Sequence, residues 1–353
     1  MDLSTPPPPF IETLRIEGYG CIREASFELS RLHAFVGPND SGKSTILRAV
    51  ETVLVVASGN GWQGLQRLQR EHRRWSSEGR GRLLLGVPSL ALEYGVFRAP
   101  NGQLGELLRE RGAPEVTRGF EAGDTFARAK SDWFAPPVLL RLDPDALRKP
   151  HGLIPPGEPL RFIDEHGTGL PGVLDGIRDR DEGAYAALRE RLLALFPLVK
   201  RLGLRATSDM QKSLEIELRD GRVVDAELMS EGMLYFLAFL AAVHAQAARV
   251  LLVEEPENGL HPTRIAEVMA VLREVSKTTQ VLIATHSPLV VNELGGDEVT
   301  VVTRDAEHGT RGVLLAKTPG YEKRAKVYAN GELWVSYANG IDEAPLLEGL
   351  PRP

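Results

Sequence analysis

The chain has 353 residues, 42% hydrophobic and 25% charged, enough to bury one large core or two modest ones. Its 42 basic and 48 acidic side chains leave a net charge of −6, which excludes a global basic field for nucleic acid, so such a contact would need a local patch. The lone cysteine, Cys21, excludes an internal disulfide framework and a cysteine-cluster metal site, and fits a reducing compartment.

The start, MDLSTPPPPF, lacks the basic and apolar regions of a signal peptide, and Pro6 to Pro9 make residues 1–9 a stiff tail that cannot pack. Three short apolar pieces between 14 and 36 (LRIEGYG, ASFEL, LHAFV) predict strands. Beyond Thr45, Ile46, Leu47, Val50, Val53 and Leu54 keep helical spacing until SGNG at 58–61 ends the helix. Residues 57–135 then turn to Gly, Arg and Glu with scattered apolar positions, and inside them LALEYGVF (90–97) alternates like an edge strand. We read 57–199 as an inserted α/β subdomain. VLLRL (138–142) reads as a strand, and Tyr185, Leu188, Leu192 and Phe196 share a helical face stopped by Pro197.

LEIELRDGRVVD (214–225) reads as a hairpin, because Asp220-Gly221 supplies the positive φ of a tight turn. An almost wholly apolar helix (233–247) follows, too short for the ~20 residues of a membrane span. The strand RVLLV, a helix from about 262 and the strand QVLIA complete the series. Strand–helix–strand with apolar strands predicts a parallel sheet covered on both faces. The expectation is a cytoplasmic protein with no membrane contact.

Gly37-Pro38-Asn39-Asp40-Ser41-Gly42-Lys43-Ser44 fits G-x-x-x-x-G-K-[ST] in full, after an apolar strand and before a helix. Such a loop wraps phosphate with backbone N–H groups, aided by the helix dipole. Lys43 would reach the β/γ oxygens of a bound nucleotide, and the Ser44 hydroxyl would ligate Mg²⁺. The strand RVLLV ends in Glu254 and Glu255, at the mouth of the sheet where ligands sit. Glu254 would hold hydrated Mg²⁺, and Glu255 would orient and deprotonate the attacking water; the other reading of paired acids is a solvated helix cap. VLIATHSP (281–288) is another apolar strand ending in a polar turn, where His286 would contact the γ-phosphate or be a satisfied structural residue.

In this order the motifs resemble ABC-type ATPase heads, in the branch that holds SMC proteins, RecF and the OLD-family nucleases, and most of all compact stand-alone ATPases of the AAA type. LRIEGYGCIREASFELSRLHAFVGPNDSGKSTIL resembles that branch's start, EEPENGLHP (254–262) its Walker B with D-loop, and ATHSP (284–288) its switch histidine. LMSEGMLYFLAFL (228–240) occupies the signature position, and GELW (331–334) looks like the closing strand. The resemblance implies a P-loop NTPase fold of ABC-head type over 10–56 and 200–340. It has N-terminal antiparallel strands, a parallel core sheet flanked by helices, the 57–199 insertion, and a tail at 341–353.

Several positions depart from the pattern. Ser230-Glu231-Gly232 replaces the transporter signature, and its serine would cap a γ-phosphate bound by a second subunit, or cap its own helix, or both. Asp40 stands where a glycine is usual, Glu254 where an aspartate is usual, and His261 at the D-loop aspartate. No glutamine can be assigned to the Q-loop, since Gln63 follows the first helix too closely. The resemblance implies an ATP-dependent head-to-tail dimer, with Lys43, Ser44 and Glu255 facing Ser230 and Gly232 of a second copy. Without heptads or a nuclease-sized acidic segment, the chain reads as a switch that controls a separate effector, encoded nearby, in DNA repair or anti-phage defence. A transporter ATPase subunit and a non-hydrolysing ATP-gated scaffold are the alternatives. Arg67, Arg70, Arg73 and Arg74, with Arg80 and Arg82, form either a contact for double-stranded DNA or a solvated helix face.

Overall fold

The computed structural model describes residues 10–58, 81–88, 91–110, 113–119, 134, 136–244, 248–307 and 309–338. Strands β1 (Thr13–Tyr19), β2 (Ile22–Glu28) and β3 (Leu32–Val36) lead into helix α1 (Lys43–Ala57). Strands β4 (Gly81–Val87), β5 (Leu92–Arg98), β6 (Leu104–Glu110), β7 (Val116–Gly119) and β8 (Val138–Leu140) follow. The middle of the chain holds α2 (Pro144–Arg148), β9 (His151–Gly152), α3 (Leu170–Arg180), α4 (Glu182–Leu195), β10 (Val199–Ser208), β11 (Gln211–Leu218) and β12 (Val223–Asp225). The last third runs α5 (Glu231–Ala242), β13 (Val250–Glu254), α6 (Pro262–Val275), β14 (Gln280–Thr285), α7 (Pro288–Asn292), β15 (Val299–Asp305), β16 (Gly309–Leu314), α8 (Tyr321–Arg324) and α9 (Asn330–Ala338).

The chain divides into two compact units, one of Met1–Val138, Ala248–Glu255 and Ser276–Pro353, the other of Leu139–Ala247 and Pro256–Val275. In the first unit, an antiparallel sheet runs β2-β1-β4-β5-β6-β7, and a second sheet runs β16-β15-β3-β14-β13. Strands β13, β14, β3 and β15 pair in parallel, and β16 returns antiparallel on β15. Every residue of β13, β14 and β3 is buried, the apolar composition expected of parallel strands covered on both faces. Of the buried polar residues in these strands (His33, Glu254, Gln280 and Thr285), Gln280 ties this sheet to the chain's start. Its Oε1 accepts from Ile11 N at 2.7 Å, and its Nε2 donates to Ile11 O at 2.8 Å and Ser30 O at 2.9 Å.

Three sequence expectations change here. LALEYGVF does not form an edge: β5 is paired along its length with both β4 and β6. Its alternation of buried Leu92, Tyr94 and Val96 arises from the two faces of an interior antiparallel strand. GELW is helical rather than a closing strand. Glu332 accepts from Ala329 N at 2.9 Å, the return half of a capping box, and Asn292 Oδ1 accepts from Gly331 N at 2.7 Å, so the segment starts α9. The stretch from 57 to 199 is shared between the units: β4 to β7 extend the N-terminal sheet through the β1–β4 ladder, while α2 to α4 belong to the second unit.

In the second unit, β10, β11 and β12 form an antiparallel sheet, with β9 also on β11. The β11–β12 turn is tight at Asp220-Gly221, where Gly221 has φ 87° and Leu218 N donates to Arg222 O at 2.8 Å. Helix α5 is buried from Met233 to Ala241, with Phe236 6.3 Å from the Phe196 ring. Among the described residues no helix is long and apolar enough to cross a membrane.

Candidate nucleotide-binding site

Strand β3 is wholly buried and ends at Val36, so Gly37 begins the loop at the C-terminal edge of the parallel sheet. A Cβ on Gly37 would lie 2.1 Å from Val302 O of β15, so only glycine lets the loop leave the sheet this way. Asp40 holds φ 66°, the left-handed conformation that glycine usually supplies and that Asp tolerates better than most residues. The loop is clamped from β15 and β16: Arg304 Nη1 donates to Asp40 O at 3.3 Å, and the buried Thr310 hydroxyl donates to Ser41 O at 2.9 Å.

Gly42 is the N-cap of α1 at φ 107° and brings no side-chain cap, so the first-turn N–H groups face the loop as an anion site would require. Lys43 is buried and its Nζ donates to Gly37 O and Pro38 O, both at 2.8 Å, which holds the ammonium across the loop. Ser44 is exposed, and Thr45 Oγ1 lies 3.5 Å from Cys21 Sγ.

The ladder sets the neighbours. Glu254 of β13 is level with Ala284 of β14, which is level with Phe35 of β3. Glu254 is buried at that edge, and Glu255 follows with its N–H on Ala284 O at 2.8 Å. Glu255 has φ 49°, a conformation that costs a residue with a Cβ roughly 1–2 kcal/mol. Strain of this kind collects at functional sites. Its Oε2 accepts from His286 Nδ1 at 2.6 Å, so in the neutral ring Nε2 is the acceptor. The loop, both acids and the histidine therefore converge on one sheet edge. The hard oxygens of Glu254 and Ser44 suit Mg²⁺, and the uncapped helix start with Lys43 suits a phosphate chain.

Ser230 and Gly232 lie in the second unit. Ser230 takes the N-cap position of α5, where its carbonyl accepts from Met233 N at 3.1 Å and Leu234 N at 3.2 Å. Its exposed hydroxyl makes no capping bond, so the residue caps in position and not with its side chain. A Cβ on Gly232 would meet Gly259 O at 3.3 Å, so the turn into α5 packs closely on residues 259 and 260 of the same unit. His261 Nδ1 lies 2.9 Å from Thr263 Oγ1 at the start of α6. Gln63, Arg67, Arg70, Arg73, Arg74 and Arg80 lie outside the described residues, while Arg82 on β4 pairs with Glu115 at 2.8 Å. Arg304 and Thr310 escaped the sequence reading. They meet the loop across 264 and 269 residues, and nothing local in a hairpin marks such a contact.

A family model described as "AAA domain, putative AbiEii toxin, Type IV TA system" matches residues 32–292, from β3 through His286 to the end of α7. The uncharacterized protein MJECL43 of Methanocaldococcus jannaschii is 31% identical over 156 residues, 40% of this chain. The chain matches 38% of that relative's length. Among solved structures, an Smc head bound to the C-winged helix domain of ScpA aligns with a TM-score of 0.60 at 19% identity, over 90% of this chain and 100% of that one. An Smc head with an extended coiled coil, bound to the C-terminal domain of ScpA from Pyrococcus furiosus, gives 0.55 at 16% identity, over 90% and 98%. The SMC head domain of Thermotoga maritima gives 0.50 at 16% identity, over 86% and 98%.

Proposed function

Because the chain belongs to the AAA-domain family of that description and has the fold of an ABC-type, SMC-like ATPase head, we propose that it binds and hydrolyses ATP as a dimerising switch. The observation that carries this reading is Glu255, held at a strained φ of 49° and hydrogen-bonded to His286 beside the phosphate loop. In this reading Gly37 to Thr45 wrap the phosphates, Lys43 neutralises the β/γ oxygens, and Ser44 with Glu254 would hold Mg²⁺, which would screen the phosphate charge. Glu255 orients the attacking water and takes its proton, while His286, with hydrogen on both ring nitrogens, donates from Nδ1 to Glu255 and from Nε2 to the γ-phosphate.

The loop side supplies donors along one face of the phosphates. Closing the outer face requires a second copy, and the uncommitted Ser230 hydroxyl with the Gly232 backbone supports that role. ATP would then stabilise only the dimer, so association should follow nucleotide by mass action. In light scattering, Glu255→Gln should shift toward dimer with ATP and Mg²⁺ but not with ADP. Adding Ser230→Arg should block the shift while the monomer still binds ATP; a double variant that dimerises would remove the head-to-tail model.

The effector is a separate protein. The toxin–antitoxin wording of the family description supports a role in defence, and the ScpA-bound Smc heads support a head that works through protein partners; in this reading it acts in the cytoplasm, in defence or DNA repair. Double-stranded DNA is a further partner in this reading. Changing Arg70, Arg73 and Arg74 to Glu should weaken DNA binding across sequences and flatten its salt dependence by roughly one unit of slope for each phosphate no longer neutralised. Unchanged affinity would return the stretch to a solvated surface.

A further inference from the structure

Helix α2 ends in an arginine whose setting its own helix does not explain. Arg148 Nη1 pairs with Asp145 at 2.6 Å, yet Asp145 is 81% exposed and Arg148 only 21%. An i,i+3 pair with so exposed an acid is screened by water and contributes little. The guanidinium is instead drawn in against the signature of the same unit. Its Nη2 donates at 3.4 Å to Met229 O, the carbonyl just before Ser230, and its Nε is buried with no hydrogen-bond partner among the described residues. The bond to Met229 is longer than the ~2.7–3.2 Å usual for N–H···O. A buried donor of a charged group is costly to leave unmade, so a small movement of the signature turn toward Arg148 would be favoured.

Charge gives this contact its consequence. Glu231 opens α5, where an acid suits the helix dipole but repels an approaching phosphate. Asp143 caps α2 through Asp145 N at 2.7 Å and Ala146 N at 3.3 Å, so α2 brings two further acids. All act on Tyr235 of α5, whose phenol is pushed up to about 12 by burial, then by Glu231 and Asp143, while Arg148 pulls it the other way. Three acids and Arg148 therefore share the start of α5. A phosphoryl group in transit is stabilised by positive charge fixed in advance, which this cluster draws from Arg148. We propose that Arg148 is a positioning residue for the nucleotide-dependent dimer. It anchors the Met229 carbonyl and offsets Glu231, so that Ser230 and Gly232 can receive the γ-phosphate held by a second copy. This rests on the dimer reading given above.

The test uses the full chain in the Glu255→Gln background with ATP and Mg²⁺. Light scattering reads the protein concentration at which half the chain is dimeric, and equilibrium dialysis reads ATP binding to the dilute monomer. Arg148→Ala should raise the half-dimer concentration at least tenfold and leave monomer affinity for ATP unchanged. Arg148→Gln keeps a donor for Met229 and removes only the charge, so it serves where the alanine variant fails to fold, and it should also raise that concentration about tenfold. Arg148→Lys, which keeps the charge, should stay within about threefold of the background. The decisive arm is a double change: adding Glu231→Gln to Arg148→Gln removes the acid that needs offsetting and should restore association to within about threefold. A purely structural role for Arg148 gives no such rescue. Association of Arg148→Gln equal to the background, absence of rescue by Glu231→Gln, or weakened ATP binding to the Arg148→Gln monomer would each overturn the assignment. A Glu255→Gln chain that stays monomeric with ATP would instead refute the dimer reading, and this proposal with it.

Discussion

Glycine at position 255 should make the protein more stable than alanine there, although both changes remove the same functional group. Glu255 sits at φ 49°, which costs an L-residue with a Cβ roughly 1–2 kcal/mol. Alanine keeps that cost and glycine escapes it. Both remove the 2.6 Å hydrogen bond with His286, whose side chain is 52% exposed, so the pair is worth at most about 1 kcal/mol after solvent screening and cancels in the comparison. Glycine gives back about 0.5–1 kcal/mol through its freer unfolded chain. The balance favours Glu255→Gly over Glu255→Ala by about 0.5–1 kcal/mol, or roughly 1–4 °C in Tm for a unit of about two hundred residues. Differential scanning calorimetry of the two variants measures this directly. Glycine melting at or below alanine would refute the strain argument. Turnover should fall in both by ~100-fold or more, as expected for loss of a general base.

Gln280→Leu should cost about 3 kcal/mol or more, because it strips hydrogen bonds from Ile11 N, Ile11 O and Ser30 O at a fully buried position, at roughly 1–3 kcal/mol per orphaned group. Hydrogen exchange of the Ile11 N–H should rise with it; unchanged protection would remove the clamp. His33 is buried, with its pKa pushed down from 6.5 to about 3 by burial. The folded form stays neutral where the unfolded chain takes a proton, so stability present above pH 6.5 is lost as pH falls toward 3, at up to about 1.4 kcal/mol per pH unit. Urea titrations at pH 6, 5 and 4 should show a slope shallower by about that amount in His33→Gln, and equal slopes would refute the linkage.

The parallel core and the phosphate loop are readable in the sequence because their causes are local. Continuous apolar runs such as VLLVE and QVLIAT have nowhere to go but a doubly covered sheet, and the loop motif is contiguous. The β11–β12 hairpin is readable because Asp220-Gly221 specifies its turn. LALEYGVF misleads because alternation marks two unlike faces, and it says nothing of how many neighbours a strand has. GELW misleads because its start is fixed by Glu332 on the Ala329 N–H and by Asn292, distant in sequence. The same blindness hides Arg304 and Thr310, which clamp the loop from β15 and β16. Nor does the sequence say that Asp40 and Glu255 hold left-handed backbone, since neither is glycine.

The central claim is that this sheet edge hydrolyses ATP with Glu255 as the base. It is tested most directly by measuring ATP affinity and steady-state turnover together for the wild type, Lys43→Ala and Glu255→Gln. The account predicts Mg²⁺-dependent turnover in the wild type and no nucleotide binding in Lys43→Ala. In Glu255→Gln it predicts binding at wild-type affinity with turnover reduced at least ~100-fold. Turnover by Glu255→Gln at the wild-type rate would contradict it.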